Sequence, residues 1–202
     1  MAPSRNEMID LHEDRDFFYE TVLFTAGQTG LNAALIEKDY YCTIFLQYLY
    51  RQPNSPLIFR GGTCIGKVYA DFYRPSEDLD FLIPTPPEAD ISIRRIILSM
   101  VEAIAEKLRA ALTRLEPAIR DFSDIDFLVS QQRIDITDPR LLNLVAEKLK
   151  VPENPPVNLS PSRKEKLAAQ INVELKPVLR PSDFESFDLD RAFGLVARIA
   201  GH

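Results

Sequence analysis

The clearest hydrophobic pattern in the chain lies between residues 93 and 115, where apolar side chains recur every three or four positions. Its members are Ile93, Ile96, Ile97, Met100, Val101, Ile104, Leu108, Leu112 and Leu115. This spacing puts them on one face of an α-helix, so the pattern predicts one long helix. Residues 29–52 and 138–150 predict two more helices, the second with Asp138 as N-cap and Pro139 in its first turn.

Two short apolar runs before the long helix predict strands. Residues 55–60 read as a buried strand that leads into two glycines, and residues 78–83 read as a strand that begins with an Asp-x-Asp pair. The segment between them, residues 63–72, has helical spacing. Pro75 then favours extended geometry at the residue before it, so the helix is expected to end there.

The second half of the chain is predicted to mix strands and helices. Polar and apolar positions alternate in residues 122–130 and 132–137, which predicts a pair of strands, and residues 169–178 predict another. The prolines of residues 151–163 indicate an exposed loop, and residues 188–202 predict a short last helix. We therefore expect an α/β (α+β) protein, with a mixed sheet flanked by helices.

The composition is that of an ordinary globular protein and indicates one domain. The chain has 202 residues, of which 46% are hydrophobic and 27% charged. No apolar run is long enough to cross a bilayer, and two cysteines are too few for a disulfide scaffold, so we expect a cytoplasmic protein without membrane contact. The net charge of −6 argues against a surface that coats nucleic acid, although it leaves room for a local basic groove.

The candidate chemistry lies in residues 59–83, FRGGTCIGKVYADFYRPSEDLDFLI. Glycines at 61 and 62 allow backbone N–H groups to approach an anion closely, and Thr63 begins a helix whose N-terminus favours phosphate. Asp78 and Asp80 lie on the same side of a strand, where their repulsion requires a counter-charge. Divalent cations supply one, because Mg²⁺ prefers carboxylates together with phosphate oxygens.

Residues 59–81 resemble the signature of the AbiEii/AbiGii family, the nucleotidyltransferase-fold toxins of type IV toxin–antitoxin (abortive infection) systems. In that family a Gly-Gly-Thr turn, a helix with a basic residue and Arg-x-Ser-x-Asp-x-Asp follow in this order, and residues 35–49 resemble its preceding helix. The resemblance implies a nucleotidyltransferase-like domain over 1–202, with a helical region at 1–52 and a catalytic core at about 55–180. The family's C-terminal Arg-Asp motif is not found, so the C-terminal helical part is expected to be short or truncated.

The resemblance implies transfer of a nucleotide from an NTP to an acceptor hydroxyl, with release of pyrophosphate. The implied acceptor is RNA, including the 3′ end of tRNA, and the implied partner is a cognate antitoxin. Asp78 and Asp80 would hold Mg²⁺ or Mn²⁺ in a two-metal site. Glu174, the nearest match to the family's third acidic position, would complete the metal site and help to take the hydroxyl proton.

The resemblance also implies phosphate ligands. Gly61, Gly62 and Thr63 would hold the β and γ phosphates through backbone donors and a hydroxyl. Lys67 and Arg74 would stabilise the charge that develops on the pyrophosphate leaving group. Ser76 belongs to the same motif, although shaping the turn is its simpler role.

Each of these residues also has a purely structural interpretation. Lys67 fits a solvated helix face, Arg74 fits a structural pair with Glu77 or Asp78, and Glu174 fits the exposed side of an alternating strand. Asp124 and Asp126 repeat the Asp-x-Asp spacing without a glycine turn upstream. We interpret this second pair as a solvated strand face.

Basic residues offer only a weak signal for nucleic-acid binding. Arg163, Lys164 and Lys166 precede Glu174 and form a candidate edge for the acceptor. The basic residues along the long helix read as a solvated face; they are Arg94, Arg95, Lys107, Arg109 and Arg114.

Two other functions stay open at this stage. One is nucleotidyl transfer to a small molecule or to a protein side chain. The other is a degenerate domain that binds nucleotide or an antitoxin without turnover, which the insecure third carboxylate favours.

Overall fold

The computed structural model describes residues 9–52, 55–76, 78–83 and 97–201. The chain begins with a short 3₁₀ turn (Leu11–Glu13) and two helices, α1 (Arg15–Thr29) and α2 (Ala33–Arg51), which pack against each other. Asp14 and Asn32 cap them by accepting hydrogen bonds from the first-turn amides. The helix predicted at residues 29–52 corresponds to α2.

A small antiparallel sheet carries the sequence motif. Strands β1 (Ile58–Arg60) and β2 (Asp80–Leu82) pair with Phe59 opposite Phe81 and Arg60 opposite Asp80. Helix α3 (Gly61–Cys64) starts directly after β1 and continues into a π-helical turn (Ile65–Tyr69). The predicted order of strand, helix and acidic strand is therefore confirmed.

The rest of the described chain is helical. Its α-helices are α4 (Met100–Thr113), α5 (Ile119–Ser130), α6 (Pro139–Leu149), α7 (Pro161–Gln170), α8 (Pro181–Ser186) and α9 (Leu189–Ala200). A π-helical turn (Ile171–Leu175) and a 3₁₀ turn (Lys176–Val178) follow α7. Helix α4 begins at a capping box formed by Ser99 and Glu102, and Asp138 caps α6 as predicted.

The main core forms where these helices meet, with α4 against α6 and α5 against α9. Ile104, Leu108 and Leu112 of α4 are completely buried, as their helical spacing predicts. They pack with buried residues of α5, such as Phe122 and Ile125. Of the predicted long helix, residues 93–96 lie outside the described residues, Ile97 pairs with Phe59, and α4 ends before the exposed Leu115.

The strands predicted at 122–130, 132–137 and 169–178 are wrong. The first segment lies in α5, because Phe122, Ile125 and Leu128 form a buried helical face. The second forms turns, and the third lies in α7 and the turns that follow it. Val173, which strand alternation would bury, is 75% exposed, whereas Leu167 and Leu175 are buried at helical spacing.

The fold class was predicted only in part. The described residues are mostly helical, with one two-stranded antiparallel sheet, and they do not form the larger mixed sheet that was expected. Within these residues, no helix has both the length and the apolar character that a membrane crossing requires.

Candidate functional site

The turn between β1 and α3 brings Asp80 directly over Gly61. Gly61 has φ +78°, a conformation that glycine adopts without strain, and a Cβ there would overlap the Asp80 carboxylate, with Cγ at 2.8 Å. The antiparallel pairing of Arg60 with Asp80 fixes this approach. Only glycine therefore allows the acidic strand to lie so close to the start of the helix.

Gly62 is the second glycine that polar side chains approach closely. A Cβ at this position would lie 3.2 Å from Arg74 Nη2, 3.2 Å from Ser76 Oγ and 3.9 Å from Lys107 Nζ. Two cationic groups and a hydroxyl thus converge beside the first turn of the helix. This concentration of donors suits an anion.

The two motif aspartates are exposed at this end of the sheet. Asp80 is the first residue of β2, and Asp78 lies two positions before it. The Thr63 hydroxyl is buried and donates a hydrogen bond to the Asp78 carbonyl oxygen, which ties the acidic strand to α3. Thr63 therefore has a structural bond where the resemblance implied a phosphate contact.

A cleft of about 300 Å³ opens beside this turn, and we call it the glycine-turn cleft. It is lined by Arg60, Gly61, Gly62, Ile65, Asp80, Phe81, Leu98, Ala103, Glu106, Lys107, Arg109, Ala110, Arg114 and Asp121. Its walls are the Gly61–Asp80 end of the sheet and the face of α4 that carries the basic residues. The cleft therefore places an acidic edge opposite a largely basic wall.

Charged side chains beneath the cleft form a second feature, the charge cluster of Arg74, Lys107, Arg114, Asp121 and Asp124. Asp124 is completely buried and accepts from Arg74 Nε and Nη2, both at 2.7 Å. Lys107 Nζ lies 2.6 Å from Asp124 Oδ2 and 2.8 Å from Asp121 Oδ1. Arg114 Nη1 lies 3.1 Å from Asp121 Oδ2, without the alignment of a hydrogen bond.

The electrostatics of this cluster keep both partners ionised. Burial alone would raise the pKa of Asp124, but the adjacent Arg74 and Lys107 lower it well below its usual range. Burial alone would lower the pKa of Lys107, but the carboxylates of Asp124 and Asp121 raise it above its ordinary value. The pKa of Tyr73 is raised by burial and by Asp124, to which its hydroxyl donates a hydrogen bond.

A strained turn delivers Arg74 to this position. Asp71 and Phe72 both have positive φ, 47° and 55°, which is uncommon for residues other than glycine. Arg133 holds the turn by donating to the Asp71 carboxylate and to the Tyr69 carbonyl oxygen. The turn reverses the chain so that Arg74 comes to lie under Gly62, where all three of its guanidinium nitrogens are bonded.

The structure does not bring Lys67 or Glu174 to the glycine-turn cleft. Lys67 faces α2, where its ammonium lies 2.6 Å from Asp39 Oδ2 and 2.8 Å from Thr43 Oγ1. Glu174 is exposed in the π-helical turn after α7, far along the chain from the sheet motif and outside the cleft lining.

The second Asp-x-Asp pair is the clearest correction at the site. Asp124 and Asp126 are 0% and 3% exposed, so the interpretation as a solvated strand face is wrong. Asp124 accepts from Arg74, and Asp126 accepts from Arg191 of α9 at 2.6 and 2.8 Å. The structural pair expected for Arg74 therefore exists, but with Asp124; Glu77 lies outside the described residues.

The basic residues are also placed differently from the expectation. Lys107, Arg109 and Arg114 line the cleft, so these members of the supposed solvated face belong to the site; Arg94 and Arg95 lie outside the described residues.

The three basic residues of the candidate acceptor edge all bind partners within the protein. Arg163 is buried and caps α4 by donating to the Arg114 and Ala111 carbonyl oxygens at 2.5 and 2.8 Å. Lys164 contacts Asp190, and Lys166 lies 3.1 Å from Glu116 Oε2. These three residues already bind partners within the protein. They are therefore less suited to bind an RNA acceptor than the basic residues that line the cleft.

Sequence reasoning missed Lys107, although its surroundings carry a faint signal. Lys107 lies directly before the buried Leu108 and within reach of the buried alanines 103, 110 and 111. A lysine on an alanine-rich stretch of a core helix has room to bury its stem, and it then requires a buried acceptor. Its acceptors are aspartates of α5, and the alternating pattern of that segment predicted a strand rather than a buried helix.

The carboxylates present fit a metal ion that arrives with a phosphate ligand. Within the described ranges, no group of three or more His, Cys, Asp or Glu residues comes together as a metal site. Mg²⁺, however, is commonly bound by one or two carboxylates together with substrate phosphates. Asp80 is exposed, lines the cleft beside Gly61 and is such a carboxylate; Asp78 is exposed two residues before it and is not among the residues that line the cleft.

The chain matches a known protein family. A family model described as nucleotidyl transferase AbiEii toxin, type IV TA system, matches residues 47–100 and 96–194. Together the two segments span well over half of the chain, and they contain both strands, the glycine turn and the charge cluster. No curated protein and no solved structure showed significant similarity to the chain.

Proposed function

The chain belongs to the AbiEii family of nucleotidyl transferase toxins of type IV toxin–antitoxin systems, and from this premise we propose that it transfers a nucleotide from an NTP to a hydroxyl of RNA. The triphosphate binds in the glycine-turn cleft, with Gly61 and Gly62 at its phosphates and Asp78 and Asp80 at a divalent cation. A cognate antitoxin is the expected partner, and the cytoplasm is the expected location.

One observation carries this proposal. Gly61, Gly62, the exposed carboxylate of Asp80 and the basic wall of α4 all border one cleft of about 300 Å³. A nucleoside triphosphate requires close backbone approach, a metal-binding carboxylate and positive charge in one place. The cleft size falls at the lower end of the range for small-molecule sites.

The reaction forms a bond between the acceptor oxygen and the α-phosphorus. The bond from that phosphorus to the oxygen bridging the α and β phosphates breaks, and pyrophosphate leaves with the electron pair. The acceptor proton passes to solvent, since Asp78 and Asp80 lie at an exposed edge. The protein contributes orientation of the triphosphate and stabilisation of the charge on the leaving group.

Mg²⁺, or Mn²⁺ in its place, supplies Lewis-acid polarisation of the phosphate when bound. Asp78 and Asp80 would hold it, and the conformation of Gly61 keeps Asp80 close to the phosphate position. The role expected of Glu174 at a second ion is not carried into the proposal. Neither Asp78 nor Glu174 lines the cleft, but Asp78 lies two residues before Asp80, whereas Glu174 lies in the turn after α7.

A domain that binds nucleotide or antitoxin without turnover is the second candidate. The observation that favours it is that, within the described residues, no three His, Cys, Asp or Glu side chains come together as a metal site, and Glu174 lies outside the cleft lining. In that case NTP would bind with a divalent cation, and no pyrophosphate would be released.

Labelling with radioactive NTPs would also separate RNA acceptors from small molecules and protein side chains.

The test is pyrophosphate release with each of the four NTPs, Mg²⁺ and total tRNA. We expect release that requires both tRNA and Asp80, so Asp80→Ala should abolish it. Asp16→Asn is the control, because Asp16 is an exposed aspartate of α1, outside the cleft lining. Release that Asp80→Ala leaves unchanged would contradict the proposed function.

A further inference from the structure

Lys107 occupies an unusual position for a residue that sequence reasoning treated as a surface cation. Its side chain is only 12% exposed, and that exposed part borders the glycine-turn cleft. The ammonium lies 3.9 Å from the position that a Cβ on Gly62 would take. It is therefore the lysine that lies beside Gly62, a residue that the resemblance implies as a phosphate ligand.

The ammonium of Lys107 has a donor to spare. An ammonium group carries three N–H donors. Two of them are matched by the carboxylates of Asp121 and Asp124, and no third acceptor for Lys107 is found in the part of the chain that the structure describes. A ligand in the cleft that Lys107 lines would supply an acceptor for the remaining donor.

A salt bridge that only joins α4 to α5 would need fewer charged groups than this cluster contains. One carboxylate is enough for a structural pair, and Asp124 is already bonded at both oxygens by Arg74. The pair of Asp126 and Arg191 shows the simpler arrangement on the same helix, where one carboxylate meets one guanidinium. The charge cluster instead sets three cations against two carboxylates, which leaves net positive charge under the glycine turn.

We propose that Lys107 contacts the terminal phosphates of the nucleotide and that Asp124 is the residue that positions it. This inference rests on the proposed function and names the group that binds the leaving pyrophosphate, a role that the sequence assigned to Lys67 and Arg74. Arg74 acts indirectly, because it fixes the Asp124 carboxylate against which Lys107 is held. Asp80, on the Gly61 side, then lies toward the reacting α-phosphate.

The experiment measures binding of inorganic tripolyphosphate with Mg²⁺ by calorimetry, using the full chain. We expect Lys107→Gln to weaken binding about tenfold or more, since one hydrogen bond between charged groups is lost. Lys107→Arg should restore part of the affinity. Arg191→Gln is the matched control, because it removes a cation from an α5 carboxylate away from the cleft, and it should leave binding within about twofold.

A second variant guards against misfolding. Lys107→Gln leaves two buried carboxylates short of a partner, so Lys107→Gln/Asp121→Asn is measured beside it to remove one of those charges. A folded double variant that keeps wild-type affinity for tripolyphosphate would overturn the inference. If neither single nor double variant folds, the conservative Lys107→Arg decides, because unchanged affinity and an unchanged KM for NTP would overturn the inference equally.

The outcomes separate this inference from the proposed function. If the wild type binds tripolyphosphate and the Lys107 and Arg191 variants lose affinity equally, the Lys107 assignment fails and the transferase proposal stands. If the wild type binds neither tripolyphosphate nor any NTP, both fail. If binding falls only in the Lys107 variants and KM for NTP rises in parallel, the assignment is supported.

Discussion

The two Asp-x-Asp pairs of this chain have the same spacing and opposite environments. Asp78 and Asp80 lie exposed at the end of a two-stranded sheet, and Asp80 is held over a glycine. Asp124 and Asp126 are buried on α5, and each is bonded to an arginine from another part of the chain. The first pair is open to a ligand, whereas the second joins elements of the fold.

The difference follows from the element on which each pair lies. Asp80 begins β2 and Asp78 lies two residues before that strand, and both side chains are exposed to solvent. Two positions along a helix turn a side chain by more than half a revolution, so Asp124 and Asp126 face different partners. The residue types alone therefore do not determine whether such a pair performs chemistry.

The largest expected effect comes from Asp124→Ala. It leaves Arg74 and Lys107 without their shared carboxylate, and removal of one partner from a buried ion pair destabilises a protein by about 3–5 kcal/mol. Asp126→Ala should cost less, because the Arg191 side chain is 46% exposed and can be solvated. Urea unfolding of the two variants measures the difference, and equal losses would contradict the distinction between them.

Asp80→Asn should affect activity and leave stability almost unchanged. Loss of a preorganised charged group at a reacting phosphate costs on the order of 10²–10³-fold in turnover. The free energy of unfolding should change by no more than about 0.5 kcal/mol, because the side chain is exposed. Pyrophosphate release and urea unfolding of the same preparation measure both quantities, and a large loss of stability would show that Asp80 is structural.

Gly61→Ala tests how closely Asp80 must approach the turn. The left-handed conformation costs alanine about 1–2 kcal/mol, and the new Cβ would also push the Asp80 carboxylate aside. We expect a lower melting temperature and impaired transfer. Gly194→Ala is the control, because no atom lies within 4 Å of a Cβ there and the position is inside α9, where alanine stabilises by about 0.5–1 kcal/mol.

The smallest expected effect is a change in acid stability. The pKa of Asp124 lies below its ordinary value of 3.8, so its stabilising contribution is complete above that pH and is lost as the pH falls further. Asp124→Asn should therefore lose less stability than the wild type when the pH is lowered below about 4. Urea unfolding at several pH values from 6 to 2 measures the two slopes, and parallel slopes would contradict the ionised state of Asp124.

The sequence predicts the local features of the site well. The Gly-Gly turn, the strands on either side of it and the cap at Asp138 depend on neighbouring residues, and the structure confirms them. Helix α4 was predicted because its apolar face is continuous. Each of these features is determined within a few turns of chain, where spacing and residue type are sufficient.

The long-range features could not be predicted from spacing. Residues 122–130 form a helix in which two polar side chains, Asp124 and Asp126, are buried in ion pairs. Polar residues therefore stand among the apolar residues of the buried face, and the resulting alternation resembles that of a strand. Lys67 and Lys107 look alike in the sequence, yet Asp39 binds the first and α5 positions the second. Their partners lie far along the chain, so spacing alone does not show which of the two lysines lines the cleft.

The most direct test of the central claim is nucleotide transfer by Asp80→Asn beside Asp126→Asn, with radioactive NTP, Mg²⁺ and tRNA. We expect Asp80→Asn to fold like the wild type and to transfer label at least about a hundredfold more slowly, whereas Asp126→Asn is less stable and, once folded, transfers label at close to the wild-type rate. Undiminished labelling by folded Asp80→Asn would contradict the claim that the exposed pair performs the chemistry.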